Sequence, residues 1–108
     1  MLRPKLTVQS IGDEICADAT FVIAPYHLSE TEVDQIRRSA GGAVTYDFTH
    51  RVLTVRARYT QADPARAGSE FGKMLDRAEK ALNHCIEQKD SIQKRFMEVV
   101  TRIVGNLE

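Results

Sequence analysis

The chain has 108 residues, of which 43% are hydrophobic and 28% charged, and its 15 basic residues balance its 15 acidic ones. This composition excludes an intrinsically disordered or fibrous class and predicts one domain with a modest core. The zero net charge lacks the basic excess of most dedicated nucleic-acid-binding proteins, so binding of that kind would depend on a local patch.

The N-terminal segment does not have the continuous apolar run of a signal peptide, because Gln9, Asp13 and Glu14 interrupt it. No window approaches the roughly 18 consecutive apolar residues of a membrane span, so no membrane association is expected. Cys16 and Cys85 are too few for a disulfide framework and are expected to be free thiols. We therefore expect a cytoplasmic protein.

The first 62 residues predict two β-hairpins with a short helix between them. Residues 5–8 and 14–23 alternate apolar and polar types around a Gly-Asp turn, and residues 43–48 and 51–59 repeat this pattern. Between the hairpins, Ser29 and Glu32 have the spacing of a capping box, and Gly41-Gly42 predicts the helix end. The fold class is therefore α+β, with the order β-β-α-β-β in residues 1–62.

Residues 63–108 predict a long amphipathic, coiled-coil-like C-terminal helix that belongs to the same domain. Asp63 is a candidate N-cap and Pro64 suits the first helical position. An alternating four-and-three spacing, typical of a left-handed coiled coil, gives eleven positions, nine of them apolar. These positions are Phe71, Leu75, Ala78, Leu82, Cys85, Lys89, Ile92, Phe96, Val99, Ile103 and Asn106. We predict an oligomer or partner interface formed by Phe71, Leu75, Leu82, Cys85, Lys89, Ile92, Phe96, Val99 and Ile103.

The alternative is an amphipathic helix that lies on the chain's own sheet, and Ile86 and Val100 widen the apolar stripe as that would require. A helix from residue 64 to residue 104 would be roughly 60 Å long, whereas a six-residue strand spans about 20 Å. The helix must therefore either extend beyond the sheet or fold back near residues 87–91. That segment has no glycine or proline, which favours a continuous helix.

Lys89 is the one charged residue among the interface positions. It could fix the register between paired helices, or its methylenes could cover apolar surface while its ammonium reaches water. A third possibility is an ion pair with Glu87, with Asp90 or with a carboxylate of a partner helix.

No phosphate-binding loop, paired-cysteine zinc signature or nucleophile elbow is present in the sequence. His27, His50 and His84 lie in three separate segments whose spacing does not indicate a metal site. Tyr46, Asp47 and His50 could form an acid–base group at a hairpin tip, but core and turn roles explain them more simply. We therefore predict no catalytic residue, no cofactor and no metal.

Arg51, Arg56 and Arg58 give the second hairpin an arginine-bearing face that could contact nucleic acid, with Lys94 and Arg95 as further candidates. Glu14 and Asp18 would oppose this if they share the face. Solvated arginines that discourage aggregation at a sheet edge, or that recognise an acidic partner, are the alternatives.

The leading hypothesis from the sequence is a non-enzymatic cytoplasmic protein that acts through its long helix, either by homodimerisation or by docking a protein partner. The alternative is a nucleic-acid-binding module that uses its arginines.

Overall fold

The structure is a computed structural model that describes residues 3–107. Its elements are β1 (Lys5–Ile11), β2 (Glu14–Val22), α1 (Glu30–Ala40), β3 (Ala43–Asp47), β4 (Val52–Thr60) and α2 (Pro64–Leu107). The four strands form one antiparallel sheet in the order β1-β2-β4-β3. The predicted α+β fold, with two hairpins, an intervening helix and a long C-terminal helix, is confirmed.

The core lies on one face of the sheet, beneath both helices. Along β2 the residues facing the helices, Ala17, Ala19 and Phe21, are buried, whereas the intervening ones are only half-buried. α1 contacts β3, and α2 contacts both β4 and α1. The core residues from the sheet, α1 and the segment between β2 and α1 include Phe21, Ile23, Leu28, Val33, Ile36, Val44, Leu53 and Val55. The opposite face of the sheet is not covered by either helix.

Local sequence determines both ends of α1. The Ser29 hydroxyl accepts a hydrogen bond from the Glu32 amide at 3.1 Å, and the Glu32 carboxylate accepts one from the Ser29 amide at 3.0 Å. Gly41 has a φ of 71° and donates its amide to the Arg37 carbonyl, which ends the helix in a left-handed turn. The predicted capping box and glycine stop are both confirmed.

The second hairpin differs from the prediction at its turn. Arg51 does not begin β4 but lies in the turn, with a φ of 57°. The Asp47 carboxylate accepts hydrogen bonds from the amides of Thr49 and His50, at 2.9 and 3.1 Å. This closes the turn one residue later than the alternating pattern indicated.

α2 is a single helix of 44 residues. It gives the molecule a long dimension of 69 Å, against 23 and 21 Å in the other two directions. Because β4 has nine residues, or about 30 Å, the sheet supports only part of this helix. We call the sheet, α1 and residues 64–90 of α2 the head, and residues 91–106 of α2 the overhang.

Candidate interaction surface on the long helix

The first half of α2 contributes its heptad residues to the head. Leu82 and Cys85 are 0% and 3% exposed, Phe71 is buried at 9%, and Leu75 packs half-buried against the same core. Phe71 also makes an edge-to-face contact with Tyr59 of β4, with ring centroids 6.5 Å apart. While the head is folded, Phe71, Leu82 and Cys85 are therefore not accessible to a partner.

Lys89 marks the end of the covered part of α2. Its ammonium lies 2.7 Å from Glu32 Oε1 on α1, with the two side chains 33% and 19% exposed. An ion pair is one of the predicted roles of Lys89, but the predicted carboxylates, those of Glu87, Asp90 or a partner helix, are wrong. Asp90 instead accepts a hydrogen bond from the Tyr26 hydroxyl at 3.2 Å, which raises the pKa of Tyr26.

The surroundings of Lys89 affect two neighbouring acids. Partial burial opposes ionisation of Glu32, but the hydrogen bonds from Lys89 and Ser29 and the charge of Lys89 together lower the pKa of Glu32 below its ordinary value. For the Cys85 thiol, burial and then the negative charge of Glu32 raise the pKa. Cys85 is thus a buried, protonated thiol with the character of a small apolar core residue.

Beyond Lys89 the heptad positions remain apolar but lose their cover. All residues from 91 to 106 are exposed. The exposed large hydrophobic residues of the overhang are Ile92 at 69%, Phe96 at 66%, Met97 at 54%, Val99 at 50%, Val100 at 36%, Ile103 at 55% and Val104 at 49%. A contiguous apolar surface of this kind on a helix is typical of a protein–protein contact.

The exposed stripe continues the buried one around the helix. Eighteen residues make five turns of an α-helix, so Val100 lies on the same side of α2 as Leu82, and Ile103 on the same side as Cys85. Within the head this stripe faces the sheet. In the overhang the same side of α2 faces solvent, because the sheet has ended. Arg95 and Arg102 lie to one side of this stripe, on the flank that carries Arg77 and His84 in the head.

A second bare apolar surface, which the sequence pattern did not predict, lies on β1. Leu6 and Val8 are 59% and 65% exposed. They pair across the ladder with Ala19 and Ala17, which are buried beneath the helices. The alternation of β1 indicates which residues share a face, but it does not reveal that the strand lies at the uncovered edge.

The predicted arginine face is divided and partly neutralised. Arg56 Nε lies 2.8 Å from Asp18 on β2, and this hydrogen bond raises the pKa of Arg56. Arg58 pairs in register with Cys16 on the same open sheet face, whereas Arg51 donates to the Pro25 carbonyl at 3.0 Å from the hairpin turn. The expectation that acidic residues would oppose the arginines is correct for Asp18.

The histidines and cysteines do not converge. Among residues 3–107, no group of three or more His, Cys, Asp or Glu side chains is arranged to hold a metal ion. His50 Nδ1 lies 2.7 Å from Asp47 in the hairpin turn, and Cys16 and Cys85 are both free thiols. His84 lines a shallow groove of about 740 Å³ between α1 and α2, together with Arg38, Arg77 and Lys80.

Arg77 and Lys80 in this groove are already engaged. Arg77 donates to the Ala40 carbonyl at 3.1 Å, and Lys80 pairs with Asp76 at 2.9 Å. The Arg77 hydrogen bond connects α2 to the C-terminal end of α1, whereas the Lys80–Asp76 pair lies within α2.

No helix within residues 3–107 combines the length and apolar character that a membrane-spanning segment needs. Comparison of the chain with protein-family models, with curated proteins and with solved structures found no match.

Proposed function

We propose that this chain is a non-enzymatic protein that self-associates through the overhang, most simply as a two-fold homodimer. The observation that supports the proposal is the change in exposure along one unbroken stripe. Leu82 is fully buried and Phe96 is 66% exposed, although both occupy the same kind of heptad position. A monomer would leave seven large hydrophobic residues of α2 in water, and a second chain would remove them from it.

The direct test is the mass of the intact protein in solution. Size-exclusion chromatography with light scattering at tens of micromolar should give twice the chain mass of 12.2 kDa. Phe96→Asp should give the single-chain mass with an unchanged fold, because a charge in this stripe would be buried without compensation. A wild-type mass of one chain at this concentration would refute self-association.

Two control variants separate dissociation from unfolding. Ser91→Asp introduces the same charge on the opposite side of the overhang, two and a half turns from Val100, and should keep the dimer mass. Leu82→Asp introduces it into the core, where the side chain is 0% exposed, and should unfold the head. If Ser91→Asp dissociated the protein as fully as Phe96→Asp, general repulsion would explain both results and the stripe would not be the interface.

Docking of a different protein through the same residues is the variant of this proposal that applies if the isolated chain is monomeric.

The second candidate function is nucleic-acid binding. It is supported by the exposure of Arg56 and Arg58 on the uncovered sheet face. Asp18 weakens that support, because its carboxylate already occupies one of the two guanidinium groups.

A further inference from the structure

The chain carries two bare apolar surfaces that have no partner within it. One is the overhang stripe, and the other is the Leu6–Val8 surface of β1, which lies on the helix-bearing side of the sheet. These surfaces cannot meet in one molecule, because the continuous helix carries the overhang away from the head. They could meet between two molecules.

The Leu6–Val8 surface is bare because of the sheet order. α1 lies near β3 and α2 near β4, so the two helices cover the part of the sheet distant from β1. Ala17 and Ala19, next to Val8 and Leu6 in the ladder, are 5% and 0% exposed. The boundary of the core therefore falls between β2 and β1. The flank of α2 that does not contact α1 borders a space above β1, and a further helix would fill this space.

The overhang has the dimensions of that space. Its sixteen residues measure about 24 Å, and the seven residues of β1 measure about 23 Å. Residues four apart on a helix, such as Phe96 and Val100, are separated by about 6 Å along the axis. Leu6 and Val8, two apart on a strand, are separated by about 6.6 Å. The apolar residues of the two surfaces therefore have nearly the same repeat.

We propose that two copies exchange their overhangs, so that each overhang lies on β1 of the other copy, with Phe96, Val100 and Ile103 above Leu6 and Val8. This inference rests on the proposed function, because it specifies how the self-association would occur. A two-fold axis perpendicular to the sheet, near the end of the head at Lys89, produces the arrangement. Within one chain, α2 runs antiparallel to β1. The two-fold rotation reverses the direction of the second helix, so the overhang of one copy runs parallel to β1 of the other copy.

The arrangement also places the remaining apolar side chains. The two α2 helices lie side by side and antiparallel, and Met97 and Val104 face the other helix because they lie on the flank opposite Arg95 and Arg102. Together with Leu6 and Val8, the seven exposed hydrophobic residues of the overhang present on the order of 800 Å² per chain, which is the size of a stable interface.

The charges favour this exchange over a simple coiled coil. In an antiparallel coiled coil of two overhangs, Arg95 and Arg102 flank the contact and would oppose the arginines of the other helix. In the exchanged arrangement both arginines lie on the flank of α2 where α1 packs, and they point away from the other helix. The apolar residues are covered without bringing like charges together.

Substitutions on β1 separate this inference from the proposed function. Val8→Asp should convert the dimer to a monomer with its fold intact, because Val8 is 65% exposed within one chain. Gln9→Asp adds the same charge on the opposite face of the same strand and should leave the dimer mass unchanged. A Val8→Asp protein that remains dimeric, while Phe96→Asp is monomeric, would overturn the exchange and leave self-association through the overhang intact.

Disulfide trapping tests the contact itself. In a Cys16→Ser/Cys85→Ala background, one chain carries Val8→Cys and another carries Ile103→Cys, and the two are mixed, allowed to exchange subunits and oxidised. The exchange predicts a covalent dimer in the mixture and none with either chain alone. Covalent dimers of the Ile103→Cys chain alone would indicate a parallel coiled coil, and those of the Val8→Cys chain alone would indicate pairing of strand edges. Either result, or no covalent dimer in the mixture, would overturn the inference.

Discussion

The ammonium of Lys89 and the carboxylate of Glu32 lie 2.7 Å apart, although 57 positions separate them in the sequence. The same oxygen of Glu32 accepts the Ser29 amide at 3.0 Å, so one carboxylate closes the N-terminus of α1 and connects it to α2. This pair lies where α2 leaves the head. It holds the last covered turn of the helix against α1 and so sets the direction in which the overhang extends.

Removing the Lys89 charge should destabilise the head. Lys89→Met keeps most of the apolar side chain but leaves a partly buried carboxylate without its cation, which should lower the free energy of unfolding by about 1 kcal/mol after allowance for solvent screening. The melting temperature should fall by about 4–8 °C. Glu32→Gln retains an acceptor for the Ser29 amide, and the double variant should lose little more than either single one. Additive losses in thermal melts would show that the two groups are not coupled.

The same pair should make stability depend on pH in acid. The folded-state pKa of Glu32 is lowered below its ordinary value of 4.5, so its contribution is fully present above that pH and is lost as the pH falls through the folded-state value. The difference in melting temperature between wild type and Lys89→Met should therefore shrink from about pH 6 to about pH 3. A difference that stayed constant over this range would contradict the assigned shift.

The capping box could be predicted because all of its interactions occur within four residues. Ser29 and Glu32 determine their own geometry whatever surrounds them. The Lys89–Glu32 pair could not be predicted, because it depends on how α1 and α2 cross. The heptad pattern placed Lys89 among the interface positions, and only the tertiary structure identified its carboxylate.

The heptad pattern predicted the apolar side of α2 but not what covers it. Leu82 and Phe96 are equivalent in the repeat, yet they are 0% and 66% exposed. Their exposures differ because the strands end before the helix does. The predicted lengths of the strands and of the helix already indicated this. The bare surface at Leu6 and Val8 was beyond such reasoning, because the strand order β1-β2-β4-β3 is a long-range property of the sheet.

If self-association is the function, the arginine face should not bind nucleic acid appreciably. Single- and double-stranded DNA and RNA should show no salt-sensitive change in fluorescence anisotropy at about 50 mM salt, because Asp18 neutralises Arg56 and few other cations share the sheet face. Binding that weakens steeply with salt and is lost in Arg56→Ala/Arg58→Ala, with the fold retained, would instead support the second candidate function.

The overhang should contribute to assembly and not to the fold of a single chain. A chain that ends after Lys94 keeps one helical turn beyond Asp90, and it loses Phe96, Val99 and Ile103, which are all exposed. Since these residues lie outside the core of the head, the head should still unfold cooperatively, with the single-chain mass and a melting temperature that no longer depends on protein concentration. The full-length dimer should melt at higher temperature as its concentration rises, by mass action. Loss of cooperative unfolding in the shortened chain at every concentration would show that the overhang is part of the folding unit. Identical melting temperatures of the shortened and full-length chains at every concentration would show that the overhang makes no contact in solution.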